Sequence, residues 1–341
     1  MNRSVHPFLS YPDLKRKIWG GRKIEAHLGI ALPEGERIGE AWMVADLPEG
    51  SSWVASGAQQ GKTLHELVHL WGEALIGPVW RGRNPDGRFP LLVKFLDAQE
   101  DLSVQVHPDE AACREFFPND LAKDESMVVM QADPGVHILH GLKPDLSREE
   151  FERLLAAGRV TECLRSVLVA PGDVYRVAPG MAHAYCQGVM VLEVQEPSDS
   201  TFRIYDYGRL TSDGQPRPLH LDAARRVLHF GEDAPLALPP EPIACAWGRH
   251  ERLVDVPAYR IERAFLEREV AWAVDPRSAQ ALVLLEGEAE LTGAGERLTL
   301  RRGSCAVLPA AVGEVALRPI GDTPALCIAT GAGGVAILGK G

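Results

Sequence analysis

Apolar positions along the chain follow two different periods, and each predicts its own kind of element. In TLHELVHLWGEALIG (63–77), Leu64, Leu67, Val68 and Trp71 recur at the three-to-four spacing of a helix. Thr63 with Glu66 three residues on forms a capping box and Gly77 ends the run, so the segment predicts about three to four helical turns. LSREEFERLLAAG (146–158) reads the same way, with Ser147 as N-cap, Glu150 as its reciprocal partner, Phe151, Leu154 and Leu155 facing inward and Gly158 as the stop. A short second helix is expected over TECLRSV (161–167).

Elsewhere the period is two. Residues 1–60 are rich in Pro and Gly with short apolar bursts such as EAWMVADL (40–47), a pattern of strands and loops. From Val167 to Arg209, β-branched and aromatic residues alternate between turn clusters, and strands this short and evenly spaced predict a sandwich or barrel. The expected class is therefore mainly β with a few helices. GEDAPLALPPEPIACAWG (231–248) has little periodicity and four prolines, which makes it the best linker and sets a domain boundary near residue 240, giving 1–240 and 241–341. A faint repeat supports two β-domains: GDVYRVAPGMAH runs from Gly172 to His183, and GSCAVLPAAVGE runs from Gly303 to Glu314 at the same offset. Only the first copy keeps the histidine, so the second, preceded by VLLEGEAEL (283–291), is expected to be a degenerate jelly roll without a metal site.

The pattern also isolates polar residues in apolar surroundings. LLVKFL (91–96) carries Lys94 in its middle, and SVQVH presents Gln105 and His107, which as i and i+2 of a strand share one face. His183 follows the Pro179-Gly180 turn, and Glu125 lies where KDE (123–125) leads into a strand. Two imidazoles, a carboxylate and an amide oxygen suit zinc or another first-row divalent ion. HELVH (65–69) also matches the zinc metalloprotease pattern, but Thr63 as N-cap puts His65 and Glu66 in the first turn and spends Glu66 on the cap. In QEPSDSTFRIYDYGR (195–209), Asp199, Arg203, Asp206 and Arg209 make either an ion-paired rim or a clamp for an anion.

Composition narrows the partners. With 45% hydrophobic and 24% charged residues the chain is an ordinary globular one, and a net charge of -11 opposes a nucleic-acid backbone as partner. Six cysteines without CxxC spacing suggest neither a disulfide framework nor a thiolate zinc cage and fit a reducing cytoplasm. No apolar leader or membrane-length run occurs, so neither export nor a membrane partner is expected; oligomeric state leaves no signature.

Several separated phrases together resemble the type I mannose-6-phosphate isomerases in their short bacterial form. These are IWGGRKI (18–24), GEAWMVADLPEGSSWVASGAQQGKTLHEL (39–67), FPLLVKFLDAQEDLSVQVHPDE (89–110), KDE, GDVYRVAPGMAHAY and PSDSTFRIYDYGR, in family order over residues 7–230. The resemblance implies a cupin β-barrel binding one zinc ion through Gln105, His107, Glu125 and His183. It further implies interconversion of mannose 6-phosphate and fructose 6-phosphate through an enediol, with Lys123 moving the proton, Arg203 holding the enediolate and Asp199 assisting. Lys94 and Ser103 are then substrate-binding residues, and a phosphosugar is the partner. The chain departs from the family in reading Ala178-Pro179-Gly180 before the second histidine, and Ser126, Met127 and Val128 where aromatic residues are usual. Two other classes compete: a non-catalytic sugar-phosphate-binding cupin, set apart by absence of turnover, and an iron dioxygenase, which a glutamine ligand disfavours.

Overall fold

The computed structural model describes residues 5–83, 87–211, 213–231 and 237–334. Two antiparallel sheets form the first barrel. One has six strands in the spatial order Val174–Val177, Glu125–Ala132, Val189–Gln195, Leu92–Asp97, Ile38–Val44 and Asp13–Gly21. The other has five, in the order Leu164–Leu168, His137–Leu142, His183–Tyr185, Val104–Val106 and Phe202–Tyr205. Glu125 on the first and His183 on the second approach to 3.2 Å, so the two sheets close face to face.

Leu92–Asp97 is buried at every position, which is why its sequence shows no alternation. Val93 and Phe95 enter a large core shared with the C-terminal sheet, whereas Lys94 and Leu96 turn into the barrel. The barrel interior is divided along its length. Trp19, Leu96, Met127, Val129, Tyr175 and Val191 fill one part with apolar contacts, and the polar residues described below occupy the other.

The second barrel is built on a ten-stranded sheet that includes the long strands Gln280–Gly293 and Glu314–Gly331. Strands from both sides of residue 240 share it, because Phe8–Tyr11 pairs antiparallel with Cys305–Leu308 in the register Phe8 to Val307. The repeat seen in the sequence recurs in space. Val174–Val177 and Cys305–Leu308 are four-residue strands beginning two positions after Gly172 and Gly303, and His183 and Glu314 each open the strand that follows. Both glycines have positive φ, 94° and 81°, so the turn itself explains why the phrase repeats.

The helices follow their caps with three corrections. Thr63 and Glu66 do form a capping box on Leu64–Trp71, but Gly72 at φ 53° breaks the run, and a separate turn, Glu73–Ile76, continues to Gly77. Ser147 caps Arg148–Ala156, yet the Glu150 carboxylate turns to Arg153 in a bidentate pair instead of returning to the cap. TECLRSV is not a helix: a 3-10 turn, Val160–Cys163, leads into Leu164–Leu168, which gains ladder bonds along His137–Leu142 that a second short helix could not match. In the expected linker, residues 232–236 lie outside the described residues, and Glu241–Ile243 is an edge strand on Gly248–Asp255. Among the described residues no helix is long and apolar enough to cross a membrane.

Candidate metal centre and active site

The register of the five-stranded sheet assembles half of the site. Arg203 lies opposite Gln105, Gln105 opposite His183, and His183 opposite His140, so four polar residues form a row across adjacent strands. His107 follows immediately after the Gln105 strand, and Glu125 enters from the facing sheet. His140, by contrast, donates from Nε2 to the Arg176 carbonyl at 3.0 Å and is held out of the cluster; burial pushes its pKa down to about 4.

His107 Nε2 and His183 Nε2 lie 3.3 Å and 3.2 Å from Glu125 Oε1. The His107 Nδ1 faces the Ser200 carbonyl and the His183 Nδ1 faces the Met181 carbonyl, each at 3.2 Å. A carbonyl only accepts, so each Nδ1 carries the hydrogen and each Nε2 presents a lone pair. Two lone pairs thus converge on a carboxylate oxygen. Neither Glu125 oxygen receives a well-oriented hydrogen bond, although Lys123 Nζ lies 3.1 Å from Oε2. The Gln105 amide nitrogen sits 3.2 Å from His183 Nε2, and the alternative amide rotamer aims its oxygen at the same point. Two imidazole lone pairs converging on one carboxylate oxygen, with Lys123 at the edge of the cluster, are what a divalent cation satisfies, and His107, Glu125 and His183 are a group with metal-ligating geometry.

Electrostatics point the same way. Burial, followed by the adjacent Lys123 charge, pushes the His107 pKa down to about 3, so the imidazole is neutral. Burial opposes the charge on Glu125, but the Lys123 ammonium holds its carboxyl well below the usual range.

Beside this cluster opens a narrow cavity of about 120 Å³. Lys123, Lys94, Ser103, Asp199 and Arg203, all singled out in the sequence, line it with Gln105 and Glu125. Lys94 is fully engaged: its Nζ pairs with Glu193 at 2.8 Å and lies 4.0 Å from Glu40. Arg203 Nη1 donates to the Pro218 carbonyl at 2.9 Å, while its buried Nε has no partner. Asp206, Arg209 and Arg217 form the ion-paired rim, with Arg217 also reaching the cavity. The block is therefore divided residue by residue: Asp206 and Arg209 belong to the ion-paired rim, and Asp199 and Arg203 line the cavity.

Sequence reasoning missed Lys17, Glu40, Tyr185, Glu193, Thr201 and Arg217, which also line the cavity. Glu193 stands directly opposite Lys94 across two strands and accepts the Tyr185 hydroxyl. The signal was present: a lone carboxylate within VMVLEVQ is as conspicuous as Lys94 within LLVKFL. HELVH stands outside the cavity. Glu66 is bound to Thr63 at both its backbone and hydroxyl and His65 to Asp46, which removes the metalloprotease reading.

Fold and site together define a two-barrel cupin with a metal-ligating group in its first barrel. The family model "Phosphomannose isomerase type I, catalytic domain" matches residues 9–147. The chain is 37% identical over 230 residues to the probable mannose-6-phosphate isomerase GmuF of Bacillus subtilis, covering 66% of this chain and 69% of that protein. It is 33% identical over 306 residues to the mannose-6-phosphate isomerase of Streptococcus mutans, covering 89% and 93%. The crystal structure of the mannose 6-phosphate isomerase from Bacillus subtilis superposes with a TM-score of 0.85 at 30% identity over 95% of this chain and 99% of that one. The chain belongs to the type I phosphomannose isomerase family.

Proposed function

We propose that this protein is a zinc-dependent aldose-ketose isomerase that interconverts mannose 6-phosphate and fructose 6-phosphate through an enediol. The observation that carries the reading is the convergence of two imidazole lone pairs on one oxygen of the buried Glu125 carboxylate at the wall of a charged cavity. His107, Glu125, His183 and Gln105 would hold the ion, whose chemistry is to draw electron density from the sugar oxygens.

The remaining steps belong to the chain. A proton must leave C2 and return to C1, and Lys123 is the group proposed to carry it, its Nζ lying 3.1 Å from Glu125 and 3.3 Å from His107 Nε2. Arg203, with an unpartnered Nε at the cavity, holds the negative charge that develops on the enediolate oxygens. Asp199, also at the cavity, assists proton handling, and Ser103 hydrogen-bonds the sugar. Lys94 contributes as part of its pairs with Glu193 and Glu40, and the phosphate is met by the guanidinium and ammonium groups of Arg217 and Lys17. Five cationic side chains, Lys17, Lys94, Lys123, Arg203 and Arg217, line the cavity against four acidic ones, Glu40, Glu125, Glu193 and Asp199. A bound dication increases that surplus, as a dianionic phosphate requires.

The test is a coupled assay with mannose 6-phosphate before and after chelation. Turnover that disappears with the metal and returns with zinc supports the proposal. Tight phosphosugar binding without turnover in the zinc-loaded protein would replace it with a non-catalytic binding role.

A further inference from the structure

The helix Leu64–Trp71 carries two histidines that the isomerase proposal does not use. His65 and His69 stand one turn apart on its exposed side, with ring centroids 4.3 Å apart. Both rings are oriented from behind. His65 Nδ1 lies 2.7 Å from Asp46 Oδ1, and His69 Nδ1 lies 2.9 Å from the His65 carbonyl. The carbonyl can only accept and the ionised carboxylate likewise, so each Nδ1 carries the hydrogen and each Nε2 keeps its lone pair. Asp46 is a rigid support: its carboxylate is 2% exposed, and Oδ2 accepts the Phe89 amide at 2.9 Å. A carboxylate that grips the far nitrogen of an imidazole fixes the tautomer and raises the basicity of the near one, the arrangement found behind metal-ligating histidines.

We propose that His65 and His69 form a second metal site, at the protein surface, that takes one divalent first-row ion of the zinc, nickel or copper class, with water completing its coordination. Two imidazoles without oxygen donors select that class over magnesium or calcium. Glu66 is not a third ligand, because Thr63 holds its carboxylate. None of the residues lining the cavity beside the buried centre lies on this helix, so the site is separate from that centre. With only two protein donors it binds more weakly than the buried centre and exchanges its ion readily.

The experiment is equilibrium dialysis of the zinc-loaded protein against nickel chloride, measuring total zinc plus nickel per chain. The wild-type protein should bind one ion more than His69→Ala or His65→Ala, and turnover of both variants should match wild type. Asp46→Asn should keep the two ligands but weaken the added ion by about tenfold, the low end of what loss of such a supporting group costs. Copper bound at this site should show two-nitrogen coupling by electron paramagnetic resonance, reduced to one in His69→Ala. An added ion that persists in the double variant His65→Ala/His69→Ala, or no added ion at millimolar nickel, would overturn the proposal.

Discussion

Glu125 is the residue on which the centre turns, because it is the one carboxylate that both imidazoles address. His107→Ala or His183→Ala should strip metal and activity together, since a four-donor site loses geometry as well as a ligand; elemental analysis showing full occupancy in either variant would remove that residue from the centre. Arg203→Ala should behave differently. If Arg203 meets charge present only in the enediolate, kcat should fall about 100-fold with little change in KM and unchanged metal content. A rise in KM alone would assign Arg203 to the phosphate. Glu40 gives a pH prediction. Burial opposes its charge, but Lys94 and Lys17 hold its pKa down to about 2 against an ordinary 4.5. A depressed carboxyl contributes stability above its unfolded pKa and loses it as pH falls through the folded value, so the window is roughly pH 4.5 to 2, and the difference amounts to about 3 kcal/mol. Glu40→Gln should therefore be markedly less stable than wild type at pH 7 and approach it near pH 2, as read from denaturant midpoints. At this scale the sequence was partly legible. Gln105 and His107 could be paired by strand geometry alone, whereas Glu40 was hidden because its partners Lys17 and Lys94 come from other strands.

The strand Glu125–Ala132 is anchored from outside the barrel. Tyr259, on the strand Tyr259–Leu266 of the second barrel, donates its hydroxyl to Asp124 Oδ1 at 3.0 Å and sits 2.9 Å from Ser126 Oγ. Asp124 is gripped in addition by Arg176. Glu125 lies between these two outward-facing neighbours, so one hydroxyl fixes the backbone on both sides of a proposed ligand. Tyr259→Phe keeps the ring and removes both bonds; it should cost about 1–3 kcal/mol of stability and weaken metal binding about tenfold by chelator competition. Unchanged metal affinity would confine Tyr259 to a purely structural role. The same contacts explain the Ser126 departure, for Ser126 turns away from the cavity while Met127 packs inside the barrel. Helix starts were readable because Thr63 and Ser147 act through bonds within three residues. The break at Gly72 and the strand Leu164–Leu168 were not, since packing and sheet pairing decide them.

The whole molecule is two versions of one β architecture with unequal chemistry. The Gly172 and Gly303 turns kept the repeat legible, but the pairing of Phe8–Tyr11 with Cys305–Leu308 joins segments from opposite ends of the chain, which no local pattern records. Glu314, the counterpart of His183, is exposed, and among the described residues the only group with three or more metal-ligating side chains is in the first barrel. The central claim is thus that one buried ion beside the cavity supports isomerisation, and its most direct test is a zinc titration of chelated protein with mannose 6-phosphate turnover as the readout. The rate should start near zero and rise in proportion to added zinc until about one equivalent per chain, then stay flat. Full turnover before zinc is added, or a rate that keeps climbing through a second equivalent, would contradict the account.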